Sequence, residues 1–429
     1  MTGVQTCALP IYTRRAFVSL LGAGEWLVHT IEALERYGLF SRFLPEWRHV
    51  RSLPQRNALH TYTVDHHLLQ TVANANEFVR DVARPDLLLV GSLLHDIGKG
   101  YPGDHTEVGV ELATAIMQRM GFTADDLHIV QKLIQHHLLL PETATRRDLS
   151  DPRTAANVAA AVNDHTTLEL LAALTESDSR ATGPAAWSAW KASLLRQLVE
   201  SVVEVFEHGG VRPASVAVSP DLDRIGALAL AEQTVQVEHV ESRDVELVRI
   251  AAPDQRGLFA RITAVLALHG CDVVGAAAVT RADSIAIDEF RIARVAGVEP
   301  AWEKVQNDLR AVLSGDADAD ARLEQRLKSL TRRKRAISPV PARLEVLVSN
   351  DASDSTTVVE VRAPDAPVVL YRVANALSHA GVNIRSAVVA TLGHEVVDVF
   401  YVTLPGAASG RVAPDEFDAL RDAIRAALA

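Results

Sequence analysis

The sequence predicts a multidomain chain, an all-α helical domain followed by two α+β repeats of ferredoxin-like type. Three observations carry this expectation. Apolar residues recur at helical spacing through the first half, up to the pair Gly209-Gly210. Beyond about residue 244 the pattern changes to strand-like alternation. There a strand–helix–strand–strand–helix order begins at Val245 and begins again at Thr357, which is an internal repeat.

Composition sets the outer bounds. The chain has 429 residues, 48% hydrophobic and 23% charged, so it is globular and long enough for about two to four domains. Its net charge of −11 argues against a protein that grips nucleic acid. No apolar run approaches the ~20 residues that span a bilayer. Two cysteines, Cys7 and Cys271, cannot build a disulfide framework, which fits a reducing cytoplasm. Histidine is the anomaly. Nine of 16 lie between His60 and His165, and a clustered excess points to metal or acid–base chemistry.

The elements follow in order. Residues 1–11, MTGVQTCALPI, read as a translated sequencing adapter and are excluded from fold reasoning. Residues 12–60 read as helices, with apolar spacing at Phe17, Leu20, Leu21 and at Leu27, Ile31, Leu34. Within 61–207, Val64–Val79 forms one helix. Pro85 opens another that stops at Gly98 and Gly100. Thr123 with Asp126 predicts a capping box. Helices at Ala155–Val162, Leu168–Ser177 and Trp187–Phe206 complete the α block. Residues 208–243 are expected as a linker. A first repeat spans 244–351, with a helix at Leu258–His269, and a second spans 352–429, with a helix at Val369–Ala380. The second repeat shows no last strand, so a strand shared within the chain or supplied by a partner copy is expected. The run Arg332–Arg335 reads as solvated linker.

The strongest chemical signal lies in the α block: His67, His95-Asp96, His105, His136-His137, then Asp178. Adjacent His and Asp at a helix end offer two unlike ligands on one side. A carboxylate can bridge two ions while an imidazole binds one. Such mixed donors suit borderline divalent ions, Mn²⁺, Fe²⁺ or Zn²⁺, and bundle cores are where such sites are built. His66, beside His67, reads as a solvated neighbour. A single His-Asp pair arises often by chance; the ordered series is far more specific.

The series, with the phrase His95-Asp96-Ile97-Gly98-Lys99, resembles the HD superfamily of metal-dependent phosphohydrolases over roughly residues 60–200. That resemblance implies one metal at His67, His95, Asp96 and Asp178, and a second at Asp96, His105, His136 and His137. It implies catalytic roles for Asp96 and for Lys99, the latter toward a substrate phosphate. The metal it implies is Mn²⁺ or Mg²⁺, with Fe²⁺ or Zn²⁺ as alternatives. The two C-terminal repeats resemble ACT domains, which sense amino acids.

A narrower resemblance rests on Pro45-Glu46-Trp47, Pro54-Gln55-Arg56-Asn57, Tyr62-Thr63-Val64-Asp65, Gly103-Asp104-His105 and Arg180-Ala181-Thr182-Gly183-Pro184. With the paired ACT-like repeats, these look like the bifunctional uridylyltransferase/uridylyl-removing family of bacterial nitrogen regulation. That family implies a PII signalling protein as substrate, UMP or AMP as the group removed, and glutamine as effector. It also implies an N-terminal nucleotidyltransferase domain with Gly-Ser and Asp-x-Asp. Gly91-Ser92 leads instead into the His-Asp helix, so that domain is expected to be missing and residues 12–60 to be its connecting remnant.

In the first repeat, Asp254, Gly257 and Leu258 are the expected effector-binding residues, because a glycine at a helix start lets a ligand approach the backbone. Val368 stands at the matching place in the second, which weakens binding there. Oligomerisation through the ACT-like repeats is a further expectation. Two other functions remain open: an HD hydrolase of a small nucleotide such as a guanosine polyphosphate, and a non-catalytic amino-acid-binding chain.

Overall fold

The computed structural model describes residues 11–429 apart from 56–59, 184–185, 188, 210–219, 242–244, 282, 294–299, 320, 324, 326–343, 367, 393–394 and 408. The chain divides into two compact units. One holds Met1–Ala144 with Ala155–Arg212, the other Thr145–Thr154 with Pro213–Ala429. Of the adapter-like segment only Ile11 is described, and it opens the first helix; Arg332–Arg335 lies outside the described residues.

The first unit is helical. Its elements are α1 (Ile11–Leu21), α2 (Trp26–Arg36), α3 (Leu39–Phe43), α4 (Trp47–Val50), α5 (Val64–Ala75), α6 (Pro85–Leu94), α7 (His105–Arg119), α8 (Ala124–Gln135), α9 (Leu139–Arg146), α10 (Pro152–Val162), α11 (His165–Thr182) and α12 (Ala189–His208). Leu21, Leu27 and Ile31 are buried, as their spacing requires. Helix α6 is buried on every side from Leu87 to Leu94, which makes it the axis of the bundle. Helices α5, α8 and α11 pack around it. Starts are fixed locally. Asp104 accepts from the Thr106 amide at 2.8 Å, Thr123 and Asp126 form the expected capping box, and Asp164 accepts from the Thr167 amide.

The second unit is α+β. Residues expected as linker hold a helix, α13 (Pro220–Glu232), and a strand, β1 (Gln236–Glu241). The first repeat continues as β2 (Val245–Pro253), α14 (Leu258–Leu268), β3 (Val273–Thr280), β4 (Ile285–Ala293) and α15 (Trp302–Leu313). The second is β5 (Glu345–Ser349), β6 (Thr357–Pro364), α16 (Val369–His379), β7 (Asn383–Leu392), β8 (Glu395–Thr403) and α17 (Phe417–Leu428). The eight strands among the described residues form one antiparallel sheet in the order β1-β2-β4-β3-β7-β8-β6-β5.

The sheet explains the strand absent from the end of the second repeat. The edge position beside β6 is filled by β5, which precedes the repeat in the same chain, and β1 does the same for the first. The repeats join where β3 pairs with β7, Gly275 opposite Ala390 through Val279 opposite Ser386. One apolar core, including Phe259, Phe290 and Phe400, runs through both. Ile225 and Ala229 of α13 cover Ala251, Ile285 and Ile287 in a separate apolar cluster.

Candidate metal centre

Five elements deliver the predicted donors. Helix α5 carries His67. His95 caps the C-terminus of α6, and Asp96 follows in the tight turn that Gly98 permits. His105 opens α7, His137 lies just past the end of α8, and Asp178 sits in α11. Gly98 is required by space. A Cβ there would lie 2.1 Å from the His105 carbonyl oxygen and 2.6 Å from the Gly109 amide nitrogen. That close approach of turn to helix brings His105 to Asp96.

The donors form two groups that share one carboxylate: His67, His95 and Asp96, and then Asp96, His105 and His137. Asp96 gives a different oxygen to each. Its Oδ2 lies 3.8 Å from His67 Nε2 and 3.5 Å from His95 Nε2. Its Oδ1 lies 3.7 Å from both His105 Nε2 and His137 Nε2. Asp178 Oδ1 joins the first group, 2.9 Å from His67 Nε2 and 3.5 Å from His95 Nε2.

The imidazoles are aimed from behind. His95 Nδ1 bonds the Ser92 carbonyl at 2.9 Å and His137 Nδ1 bonds the Ile134 carbonyl at 2.8 Å, which turns each Nε2 toward Asp96. Yet His67 Nε2, His95 Nε2 and Asp96 Oδ1 are buried without a properly aligned hydrogen-bond partner. Buried polar atoms are nearly always satisfied. Donor atoms 3.5–3.8 Å apart that do not bond one another, drawn from imidazole and carboxylate, fit ligands of a divalent ion.

Electrostatics agree. Burial alone would raise the Asp96 carboxyl, but His95, Lys99 and His137 outweigh it and hold the group well below the usual carboxylate range. Asp178 is likewise held low against its burial, chiefly by His95 and by the close contact with His67 Nε2 at 2.9 Å. The His95 imidazole, which burial would push down, is pushed up by Asp96 and Asp178. Lys99 reaches this cluster: its Nζ is 2.5 Å from Asp96 Oδ2 and donates to Gln55 Oε1 at 2.8 Å.

His136 is not brought into either group; it caps α8, and burial lowers its basicity. His66 turns away to Glu32, 3.5 Å distant. Sequence reasoning missed His60 and Gln55. The His60 ring lies 5.5 Å from that of His67, and burial, then the Lys99 charge, push it down to about 4. Both precede α5 without helical periodicity, so the histidine excess was the only signal for His60.

The second unit has its own recess at the join of the repeats. Asp254, Gly257 and Leu258 line it with Asp288, Asn383 and Arg385. Gly257 has φ of +74° and a Cβ there would meet Ser378 Oγ at 2.9 Å. At the matching place Val368 adopts φ of +68°, a conformation rare for a β-branched residue. The Arg385 guanidinium stands 3.9 Å from Asp254 across the mouth. Asp288 and Asp398 hold the same place in β4 and β8. Burial pushes each carboxyl up to about 8.

Among known proteins, the family model described as "HD domain" matches residues 64–177. The chain is 42% identical, over 96% of its length, to the bifunctional uridylyltransferase/uridylyl-removing enzyme of Streptomyces coelicolor, of which it covers 55%. It is 40% identical over 92% of its length to the enzyme of that name from Mycobacterium tuberculosis, covering 50%, and 33% identical over 86% to that of Gluconobacter oxydans, covering 45%. The chain spans about half the length of the curated relatives it matches. No helix among the described residues is long and apolar enough to cross a membrane.

Proposed function

We propose that this chain, an HD-domain hydrolase and over nearly its whole length a relative of bifunctional uridylyltransferase/uridylyl-removing enzymes, removes a nucleotidyl group from a protein by hydrolysing a phosphodiester. The group is UMP, with AMP as the alternative, and the protein is of PII type. The observation that carries the reading is the shared carboxylate, since Asp96 presents one oxygen to each of two imidazole groups.

On this reading His67, His95, Asp96 and Asp178 hold one divalent ion, and Asp96, His105 and His137 a second, Mn²⁺ or Mg²⁺. Bound there, such ions lower the pKa of water from 15.7 toward ~7 and polarise a phosphoryl oxygen. The chain's residues do the rest. The charges of His95, Lys99 and His137 keep Asp96 ionised against its burial, and the Ser92 and Ile134 carbonyls hold His95 and His137 in one tautomer. Lys99 places a cation beside Asp96, where an anionic phosphoryl group would enter.

The recess between the repeats is the proposed effector site, with glutamine as ligand. Arg385 suits an α-carboxylate, and the carboxyls of Asp254 and Asp288 suit an ammonium or amide. Its free volume is about 30 Å³, room for a water or two. An amino acid enters only if the Asp254 loop and Arg385 part. Glutamine would therefore favour an opened state, as a ligand that shifts activity must.

Substitution tests the centre. Asp96→Ala should remove activity and at least one equivalent of bound metal. Full activity with full metal content in that variant refutes the assignment.

A further inference from the structure

We infer that Gln55 and His60, together with Lys99, form a cradle for the phosphoryl oxygens of the substrate, on the side of the metal-ligand cluster nearest α5. The inference rests on the phosphodiester chemistry proposed above and adds to it the residues that receive the anion.

Around Asp96 nearly every group offers an electron pair: two carboxylates and four imidazole nitrogens. Those electron pairs serve metal ions and offer an anionic phosphodiester no hydrogen-bond donor of their own. Among the described residues, donors gather beside Lys99. Lys99 Nζ bonds Gln55 Oε1 at 2.8 Å, and an ammonium can accept nothing, so this contact fixes which end of the amide faces it. The Gln55 Nε2 end is left buried with no partner. His60 Nδ1 is also buried with no partner, and its ring packs edge-on against metal-ligand candidate His67. An imidazole keeps at least one N–H donor in either protonation state.

Two buried polar groups with unmade hydrogen bonds, one bonded to the Lys99 ammonium and the other near enough to feel its charge, call for an acceptor, since leaving each unmade is costly. A phosphoryl group has the right chemistry, with negative charge and oxygens that accept several hydrogen bonds. The described residues on either side of Gln55 and His60 are anchored. The Val64 amide donates to the Leu53 carbonyl at 2.9 Å, the Ser52 amide donates to Asp65 Oδ2 at 2.8 Å, and the Thr61 amide donates to the Thr182 carbonyl at 2.9 Å. The cradle is thereby tied to α5 and α11, the helices that present His67 and Asp178.

The test uses the full chain loaded with Mn²⁺ and titrated with inorganic phosphate and with UMP by calorimetry, with metal content and thermal midpoint measured on each variant. Gln55→Glu and His60→Leu should weaken both ligands by roughly tenfold or more, with metal content unchanged. His60→Asn, which keeps a donor near the Nδ1 position, should retain most of the binding. In turnover the losses should fall on KM more than on kcat. Phosphate and UMP affinities within twofold of wild type in both Gln55→Glu and His60→Leu would overturn the cradle while leaving the hydrolase reading standing. A wild-type chain that holds metal yet neither binds these anions nor hydrolyses a phosphodiester would overturn both.

Discussion

Replacing Gly98 by alanine should disable the second metal group without touching a ligand. The added Cβ would lie 2.1 Å from the His105 carbonyl oxygen, 2.6 Å from the Gly109 nitrogen and 3.0 Å from Gly109 Cα. All three are backbone atoms, which no side-chain rotation can move aside. Restoring an ordinary contact near 3.4 Å requires the turn and the start of α7 to separate by about 1 Å. His105 moves with α7, whereas Asp96 stays with α6. Metal ligands tolerate roughly 0.2 Å of error, so a shift several times larger removes His105 from the set that Asp96 Oδ1 anchors. Overpacking of this kind costs about 1–3 kcal/mol, or more when backbone is struck. In a domain of this size that lowers the thermal midpoint by roughly 2–12 °C. Metal content by plasma mass spectrometry and melting by scanning calorimetry read both effects on one sample. A Gly98→Ala chain with the wild-type metal content and a midpoint within about 1 °C of wild type would show that close approach at this turn does not build the site.

Three other outcomes follow from particular residues. Val368→Gly should stabilise the second unit by roughly 1 kcal/mol, because relief of a β-branched residue at φ of +68° outweighs the entropy that glycine adds to the unfolded chain; a lower midpoint in calorimetry would contradict it. Asp398 is buried with its Oδ1 unpartnered and its carboxyl pushed up to about 8, so the folded chain holds a proton that the unfolded chain releases near pH 4. Stability from this group is therefore full below pH 4 and falls by about 1.4 kcal/mol per pH unit up to pH 8; Asp398→Asn should flatten that slope in urea titrations at pH 5.5 and 7.5, and an unchanged slope would exclude it as the source. Mn²⁺ should raise the thermal midpoint of the wild-type chain by ligand linkage and leave that of Asp96→Ala nearly unmoved; equal rises in both would place the bound ion elsewhere.

The fold was legible wherever one periodicity ran long enough. Helices α5, α14 and α16 begin at Val64, Leu258 and Val369, where the pattern places them, and Thr123 with Asp126 announces the start of α8. What escaped was topology. Strands β1 and β5 precede their repeats, and only hydrogen-bond pairing reveals that each fills the edge a ferredoxin-like unit needs. Val235 and Val237 did carry the alternation of a strand, hidden in an Ala-rich connection.

At the metal cluster, motif spacing pointed to the residues that converge on Asp96. It could not separate His136 from His137, because adjacent residues past a helix end point in different directions and the Ile134 carbonyl, not the pattern, orients the second. Gln55 and His60 lie where the chain has no period; the Pro54-Gln55 motif and the histidine excess include them, but their unmet buried polar atoms single them out. Asp288 and Asp398 were within reach. Aligning Ile285–Ala293 with Glu395–Thr403 puts an aspartate fourth in both, where a core strand would ordinarily hold an apolar residue.

The most direct test of the account is mass spectrometry of a uridylylated PII protein incubated with the purified chain and Mn²⁺, beside an Asp96→Ala control. The account predicts that wild type returns the protein to its unmodified mass and releases UMP, and that the control does neither. A substrate that keeps its modification in the presence of metal-loaded wild-type chain, or loses it equally with Asp96→Ala, would contradict it.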